Sequence, residues 1–158
     1  MVLDAAGENV GLRQADDADK EFCYRLHKAA LGDYVAAIWG WDERAQRDWH
    51  ERLFDPGNWQ IITMGGADVG MISVDRRPEE IYLGRIEILP EYQGRGIGTR
   101  LIGDLLDEAE RRGVPVVLDV LVVNRRAYAL YERLGFREAG RHGDGYIKIR
   151  MRREPSGR

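Results

Sequence analysis

The chain has 158 residues, 44% of them hydrophobic and 32% charged, with a net charge of −3. That size and balance fit one domain with its own core. No apolar run approaches the ~20 residues that span a bilayer. Nor does any basic cluster interleave with aromatics as nucleic-acid binding would ask. The single cysteine, Cys23, excludes an internal disulfide, and the first residues lack a basic start followed by an apolar stretch. A cytoplasmic, reducing setting is the expectation. Charge is uneven: residues 1–60 carry 12 acids and 7 bases, residues 61–158 carry 15 acids and 17 bases. The later part suits an anionic ligand and the earlier part a cationic one.

In chain order, Val10–Gln14 reads as a strand, and Asp16 or Asp17 caps a helix with Phe22, Leu26, Ala29 and Ala30 at helical spacing. Gly32 is expected to end it. A second helical stretch is interrupted near Trp39-Gly40-Trp41 and resumes through Glu51, before a turn at Asp55-Pro56-Gly57. Three strands follow, Trp59–Met64, Val69–Val74 and Ile81–Ile88, the first two joined by a Gly65-Gly66 hairpin turn. A helix with one apolar stripe (Ile97, Leu101, Ile102, Leu105, Leu106, Ala109) runs to Arg112 and stops at Gly113. Val116–Val123, apolar except for Asp119, reads as a buried parallel strand. Asn124–Leu134 is a helix ended by Gly135, and strands near Arg137–Arg141 and Tyr146–Arg152 close the chain as a hairpin. The order implies an α/β fold with a mixed sheet and helices on both faces. One domain spans 1–158, with loose tails at about 1–7 and 154–158.

Glu91 to Arg100, between a strand and a helix, carries the chemistry. Gly94, Gly96 and Gly98 remove side chains where a ligand approaches the backbone. The free N–H groups and positive dipole end of the following helix attract an anion, and Arg95 and Arg100 add charge. A pyrophosphate fits this specification. A P-loop would need a lysine before Thr99, and the dinucleotide fingerprint from Gly94 fails because position 99 is threonine.

Gln93-x-x-Gly96-x-Gly98 resembles the Q/R-x-x-G-x-G/A motif of the GNAT superfamily of acetyl-CoA-dependent N-acetyltransferases. Asn124 to Phe136, NRRAYALYERLGF, resembles the family's N-x-x-A-x-x-L-Y-x-x-x-G-F block. The likeness covers about residues 80–140. It implies a central, mostly antiparallel sheet of six to seven strands, splayed between the fourth and fifth. It further implies that acetyl-CoA is the co-substrate, contacted by Ile86, Glu87 and Ile88, by Gln93, Gly94, Arg95, Gly96, Ile97, Gly98 and Thr99, and by Asn124 and Tyr131. Ile88 would hold the acetyl and pantetheine end, the glycine segment the pyrophosphate, and Asn124 the pantetheine arm.

The same resemblance makes Tyr131 the general acid for the leaving thiolate. An aliphatic ammonium with a pKa near ~10.4 costs about 4.6 kcal/mol to deprotonate at pH 7, so a carboxylate base is expected, Glu87 first and Asp119 second. Tyr34, Trp39, Trp41 and Asp42 are the expected acceptor-side residues, the two tryptophans walling a pocket or caging a cation. His27, His50 and His142 lack metal-ligand spacing and are expected to be surface or helix positions, with no metal bound. The implied function is acetyl transfer to a primary amine within a ternary complex. The rival is an acyl-CoA-binding sensor without turnover. Family members commonly dimerise, which makes a homodimer part of the expectation.

Overall fold

A computed structural model describes residues 2–3 and 9–156. The strands are β1 (Val2–Leu3), β2 (Asn9–Gln14), β3 (Trp59–Met64), β4 (Ala67–Arg76), β5 (Ile81–Ile88), β6 (Val116–Leu121), β7 (Arg137–His142) and β8 (Lys148–Arg153). The helices are α1 (Lys20–Trp39), α2 (Glu43–Leu53), α3 (Ile97–Arg112) and α4 (Arg125–Arg133). Hydrogen-bonded strand order is β1-β2-β3-β4-β5-β6-β8-β7. Two compact units divide the chain: Met1–Ser73 with Arg85–Ile97, and Val74–Gly84 with Gly98–Arg158.

In the first unit β1 to β4 form an antiparallel meander. Gly65 and Gly66, at φ +58° and +84°, make the two-residue turn that pairs Met64 with Ala67, as left-handed hairpin turns require. The β3–β4 register shifts so that Ile62 faces Gly70 while Thr63 faces Asp68, leaving Val69 as the extra residue of a bulge. The Val69 carbonyl accepts from the Leu89 N–H at 2.9 Å, at the end of β5. At Gly70 the β5 backbone approaches closely: a Cβ there would lie 2.4 Å from the Glu87 carbonyl oxygen. Ala15, Cys23, Leu26, Trp59, Ile61 and Met71 make a buried cluster, with Phe22, Phe54 and Leu89 packed against it.

Asp16 caps the 3-10 turn Asp17–Asp19 that leads into α1: its carboxylate accepts from Ala18 N–H, and its own N–H donates to Asp19. Asp19, the residue before α1, makes no side-chain cap to it. The helix does not stop at Gly32. A glycine inside a helix costs about 1 kcal/mol, which the helix tolerates here; a Cβ at Gly32 would make only ordinary contact with the Trp41 ring, at 3.8 Å. The stop is Gly40, at φ +75°, whose N–H donates to Ala36. The buried face is also turned from the expected stripe: Cys23, Tyr24, Leu26, His27 and Val35 are buried, Phe22 and Ala30 half-buried, and Ala29 exposed.

In the second unit β5 pairs with β6 in parallel from Ile81–Val116 to Leu83–Leu118. β6 then continues on β8 alone, through Asp119–Arg150 and Leu121–Lys148. The parallel pairing ends at Leu83–Leu118. β6 stops at Leu121 rather than Val123, because Val122 N–H turns to the Ile147 carbonyl. α3 has the expected limits, and Gly113 at φ +68° ends it. Asn124 caps α4 by accepting from Ala127 N–H. Gly135 at φ +96° and the 3.0 Å bond from Phe136 N–H to the Tyr131 carbonyl close it.

Of the tails expected to be loose, Val2–Leu3 pairs with β2. Ser156 donates from its N–H and hydroxyl to Glu110. Residues 1, 4–8 and 157–158 lie outside the described residues. No helix among those described is long and apolar enough to cross a membrane.

Candidate active site

β5 is followed by a 3-10 turn at Pro90–Tyr92 and then the glycine segment. Gln93 Nε2 donates to the Ile88 carbonyl at 2.9 Å and ties the segment back to the strand end. Gly94 and Gly96 sit at φ +76° and +82°, left-handed conformations that glycine adopts without strain. Nothing lies within 4 Å of a Cβ built on Gly96. The bend is therefore open on that side, as a phosphate cradle must be. Ile97, buried, anchors the start of α3, while the Arg95 guanidinium rests over Tyr92 at 4.9 Å. Ile86 and Ile88 are half-buried on β5. Gly98 and Thr99 fall in the first turn of α3, where unpaired N–H groups gather.

Glu87 belongs to a buried cluster of the first unit. Its Oε2 accepts from Arg85 Nη2 at 3.0 Å and lies 3.0 Å from His27 Nδ1. Burial pushes this carboxyl up, but the Arg85 charge and the His27 hydrogen bond outweigh it and hold it below the usual range. Arg85 is itself held over Trp49 at 5.4 Å and Trp59 at 5.0 Å. His27 packs against Trp49 and Trp41, at centroid distances of 5.4 and 6.2 Å.

In the second unit Asp119 accepts from Arg150 Nε and Nη2 at 3.1 and 2.9 Å, from Tyr82 Oη at 3.0 Å, and lies 2.9 Å from His142 Nε2. Burial raises this carboxyl, and those hydrogen bonds more than compensate, lowering it to about 2. Both carboxylates expected as bases are therefore ionised, well paired and weakly basic. Tyr131 is buried on α4 against Phe136 at 5.9 Å, and burial alone pushes its phenol up to about 12. At neutral pH it keeps its proton, as a donor must.

The expected acceptor-side residues sit along α1 and at the start of α2. Trp41 Nε1 donates to Glu43 at 3.0 Å, and the cation over its ring is the chain's own Lys28 at 5.6 Å. Asp42 caps α2 by accepting from Ala45 N–H at 3.1 Å. Trp39, the last residue of α1, is 57% exposed, and Tyr34 is half-buried. Sequence reasoning missed His27, Trp49 and Gly70. His27 stands one position after Leu26 and four after Cys23, a helical spacing that a wider reading of the buried face would have found. His50 is likewise buried on α2, whereas His142 is exposed. No group of His, Cys, Asp and Glu suited to a metal occurs among the described residues.

The sequence model of the Acetyltransferase (GNAT) family matches residues 20–136. A ribosomal protein bS18-alanine N-acetyltransferase of Escherichia coli K12 is 47% identical over 62 residues, 39% of this chain and 42% of that protein. The N-alpha-acetyltransferase RimI of Mycobacterium tuberculosis is 44% identical over 96 residues, 58% of this chain and 60% of that one. The chain thus spans less than two thirds of these curated relatives. A crystal structure of the E. coli ribosomal-protein-S18-alanine N-acetyltransferase superposes with a TM-score of 0.65 at 25% identity, covering 95% of this chain and 96% of that one. The Thermoplasma acidophilum PaiA N-acetyltransferase, solved with coenzyme A, gives a TM-score of 0.74 at 16% identity over 92% and 99%, a likeness of fold alone. With the glycine bend and the α4 block in their expected places, and the family match across most of its length, this chain belongs to the acetyltransferase (GNAT) family.

Proposed function

We propose that this chain, residues 1–158 as a single domain, transfers acetyl from acetyl-CoA to a primary amine, and that the amine is the α-amine of a peptide or protein N-terminus. The open glycine bend carries the cofactor half of this reading. Main-chain N–H groups from Gly94 to Thr99, helped by Arg95, are assigned to the pyrophosphate. Ile86, Glu87, Ile88, Gln93 and Asn124 are assigned to the cofactor's other end. Bound acetyl-CoA supplies a thioester whose carbonyl carbon an amine attacks. Tyr131 is assigned as the acid that protonates the departing sulfur. Glu87 and Asp119 stay in the site as charged groups around that chemistry. A free N-terminus is supported by the weak basicity of both carboxylates. An α-ammonium titrates near ~8, so freeing its lone pair at pH 7 costs about 1 kcal/mol, whereas a lysine-like amine costs about 4.6. A site with weak carboxylate bases suits the first. The relatives named for alanine and N-alpha acetylation point the same way.

Tyr34, Trp39, Trp41 and Asp42 are assigned to the acceptor side. A cytoplasmic location and a homodimer complete the reading, supported by the lone buried Cys23 and by family habit respectively. Thiol release measured over a panel of peptides tests it. Free N-termini should be acetylated faster than lysine side chains on N-terminally blocked peptides. Equal or reversed rates would remove the α-amine assignment.

A further inference from the structure

Among the described residues two buried side-chain nitrogens lack a hydrogen-bond partner, His27 Nε2 and His50 Nδ1. The second has a structural account. His50 Nε2 lies 2.9 Å from the Lys20 carbonyl and donates to it. Its ring packs among Tyr24, Phe54 and Trp59, and burial lowers its pKa, keeping it neutral. His27 is different. Its Nδ1 lies 3.0 Å from Glu87 Oε2 and 2.9 Å from Arg85 Nη2. An ionised carboxylate only accepts and a guanidinium only donates. Nδ1 can serve only one of the two: with the ring hydrogen on Nδ1 it donates to Glu87, and with it on Nε2 it accepts from Arg85. The first tautomer leaves Nε2 as a bare lone pair in a side chain only 4% exposed. A carboxylate that fixes the tautomer and leaves Nε2 free is the arrangement by which a histidine serves as general base.

We propose that His27 Nε2, rather than Glu87 or Asp119, receives the proton of the attacking amine, with Glu87 as its positioning residue. The inference deepens the acetyl-transfer reading and rests on it. The amine nitrogen forms a bond to the thioester carbon, and the carbon–sulfur bond breaks. The N–H proton passes to Nε2, and the sulfur takes a proton from the acid assigned above. The charged and titratable groups that face His27 are Glu87 and Arg85 from β5 and His50 from α2. Trp49 leans on the imidazole and is itself 36% exposed.

The variant His27→Asn tests the assignment, because an asparagine amide can still donate to Glu87 but places nothing at the Nε2 position. With a free-N-terminus peptide, kcat should fall about 100-fold or more, with acetyl-CoA Kd unchanged and the pH dependence of kcat altered. A kcat within twofold of the unaltered protein, with the same pH profile, overturns the proposal. If the variant does not fold, ¹⁵N-histidine NMR of the unaltered protein decides. The His27 Nε2 resonance should move on adding a CoA–peptide bisubstrate conjugate and not on adding CoA alone; no difference overturns the proposal. An unaltered protein that releases no CoA with any acceptor removes the transfer reading and this inference together. Turnover shared equally by both proteins removes His27 alone.

Discussion

Replacing Gly70 by alanine places one methyl group against the backbone at the end of β5. The new Cβ would lie 2.4 Å from the Glu87 carbonyl oxygen, 3.2 Å from Ile62 Cδ1 and 3.3 Å from Ile88 Cα. The first distance is below the 3.0 Å that real Cβ atoms respect, and the atom concerned is backbone, so no side-chain rotation relieves it. The strand carrying Glu87 and Ile88 must move. Overpacking of this kind costs about 1–3 kcal/mol. The alanine recovers part of that, ~0.4–1 kcal/mol, by stiffening the unfolded chain. A net loss near ~1–2 kcal/mol corresponds to a Tm lower by about 2–8 °C for a chain of this size. Thermal unfolding followed by circular dichroism measures it. Acetyl-CoA titration should show weaker binding in the same variant, since Ile86 to Ile88 shift with the strand. Gly103→Ala on α3 is the matched control: nothing lies within 4 Å of its Cβ, and helix propensity alone should stabilise it by up to ~1 kcal/mol. A Gly70→Ala protein as stable as its parent, binding acetyl-CoA equally well, would refute the reasoning.

Three further outcomes follow from the geometry. Gly96→Trp puts an indole into the open side of the bend, in a backbone conformation at φ +82° that costs a non-glycine residue about 1–2 kcal/mol; acetyl-CoA binding should vanish while the far-UV spectrum persists, and an unchanged Kd would show the cradle misplaced. Tyr131→Phe should cut kcat about 100-fold with little change in acetyl-CoA affinity. Because burial lifts the phenol to about 12, the parent's kcat should show no loss from this group below pH 11. Asp119→Asn removes the acceptor shared by Arg150, Tyr82 and His142. The carboxyl sits at about 2 in the folded chain against its ordinary 3.8. It therefore stabilises fully above that ordinary value, by about 2 kcal/mol, and the benefit disappears as pH falls toward 2. Urea unfolding of both proteins from pH 7 to pH 2 should show the stability difference closing over that interval; a constant difference would contradict it.

The elements beyond Asp55 were largely legible because each carries a local signal: Gly65-Gly66 sets a hairpin, Gly113 and Gly135 stop helices, and Asn124 caps one. The early helices were harder. Gly32 looked like a terminator, and only the fold reveals that it sits against the Trp41 ring, a contact nine residues away that no local rule contains. The glycine bend was legible because turns with positive φ, as at Gly94 and Gly96, favour glycine. The partners of Glu87 were not. His27 comes from 60 residues upstream, and the residues that set the carboxylate's basicity meet only after α1 and β5 pack. Asp119 stood out as a charge in an apolar run, but Arg150, Tyr82 and His142, the groups that satisfy it, lie on three separate stretches of chain.

The most direct measurement incubates purified protein with acetyl-CoA and a short peptide bearing a free N-terminus, following thiol release and the mass of the peptide together. The account predicts one acetyl group gained on the N-terminus for each CoA released, and neither event when the terminus is blocked beforehand. Saturable acetyl-CoA binding with CoA release no faster than in buffer, across every free-N-terminus peptide tried, would contradict it.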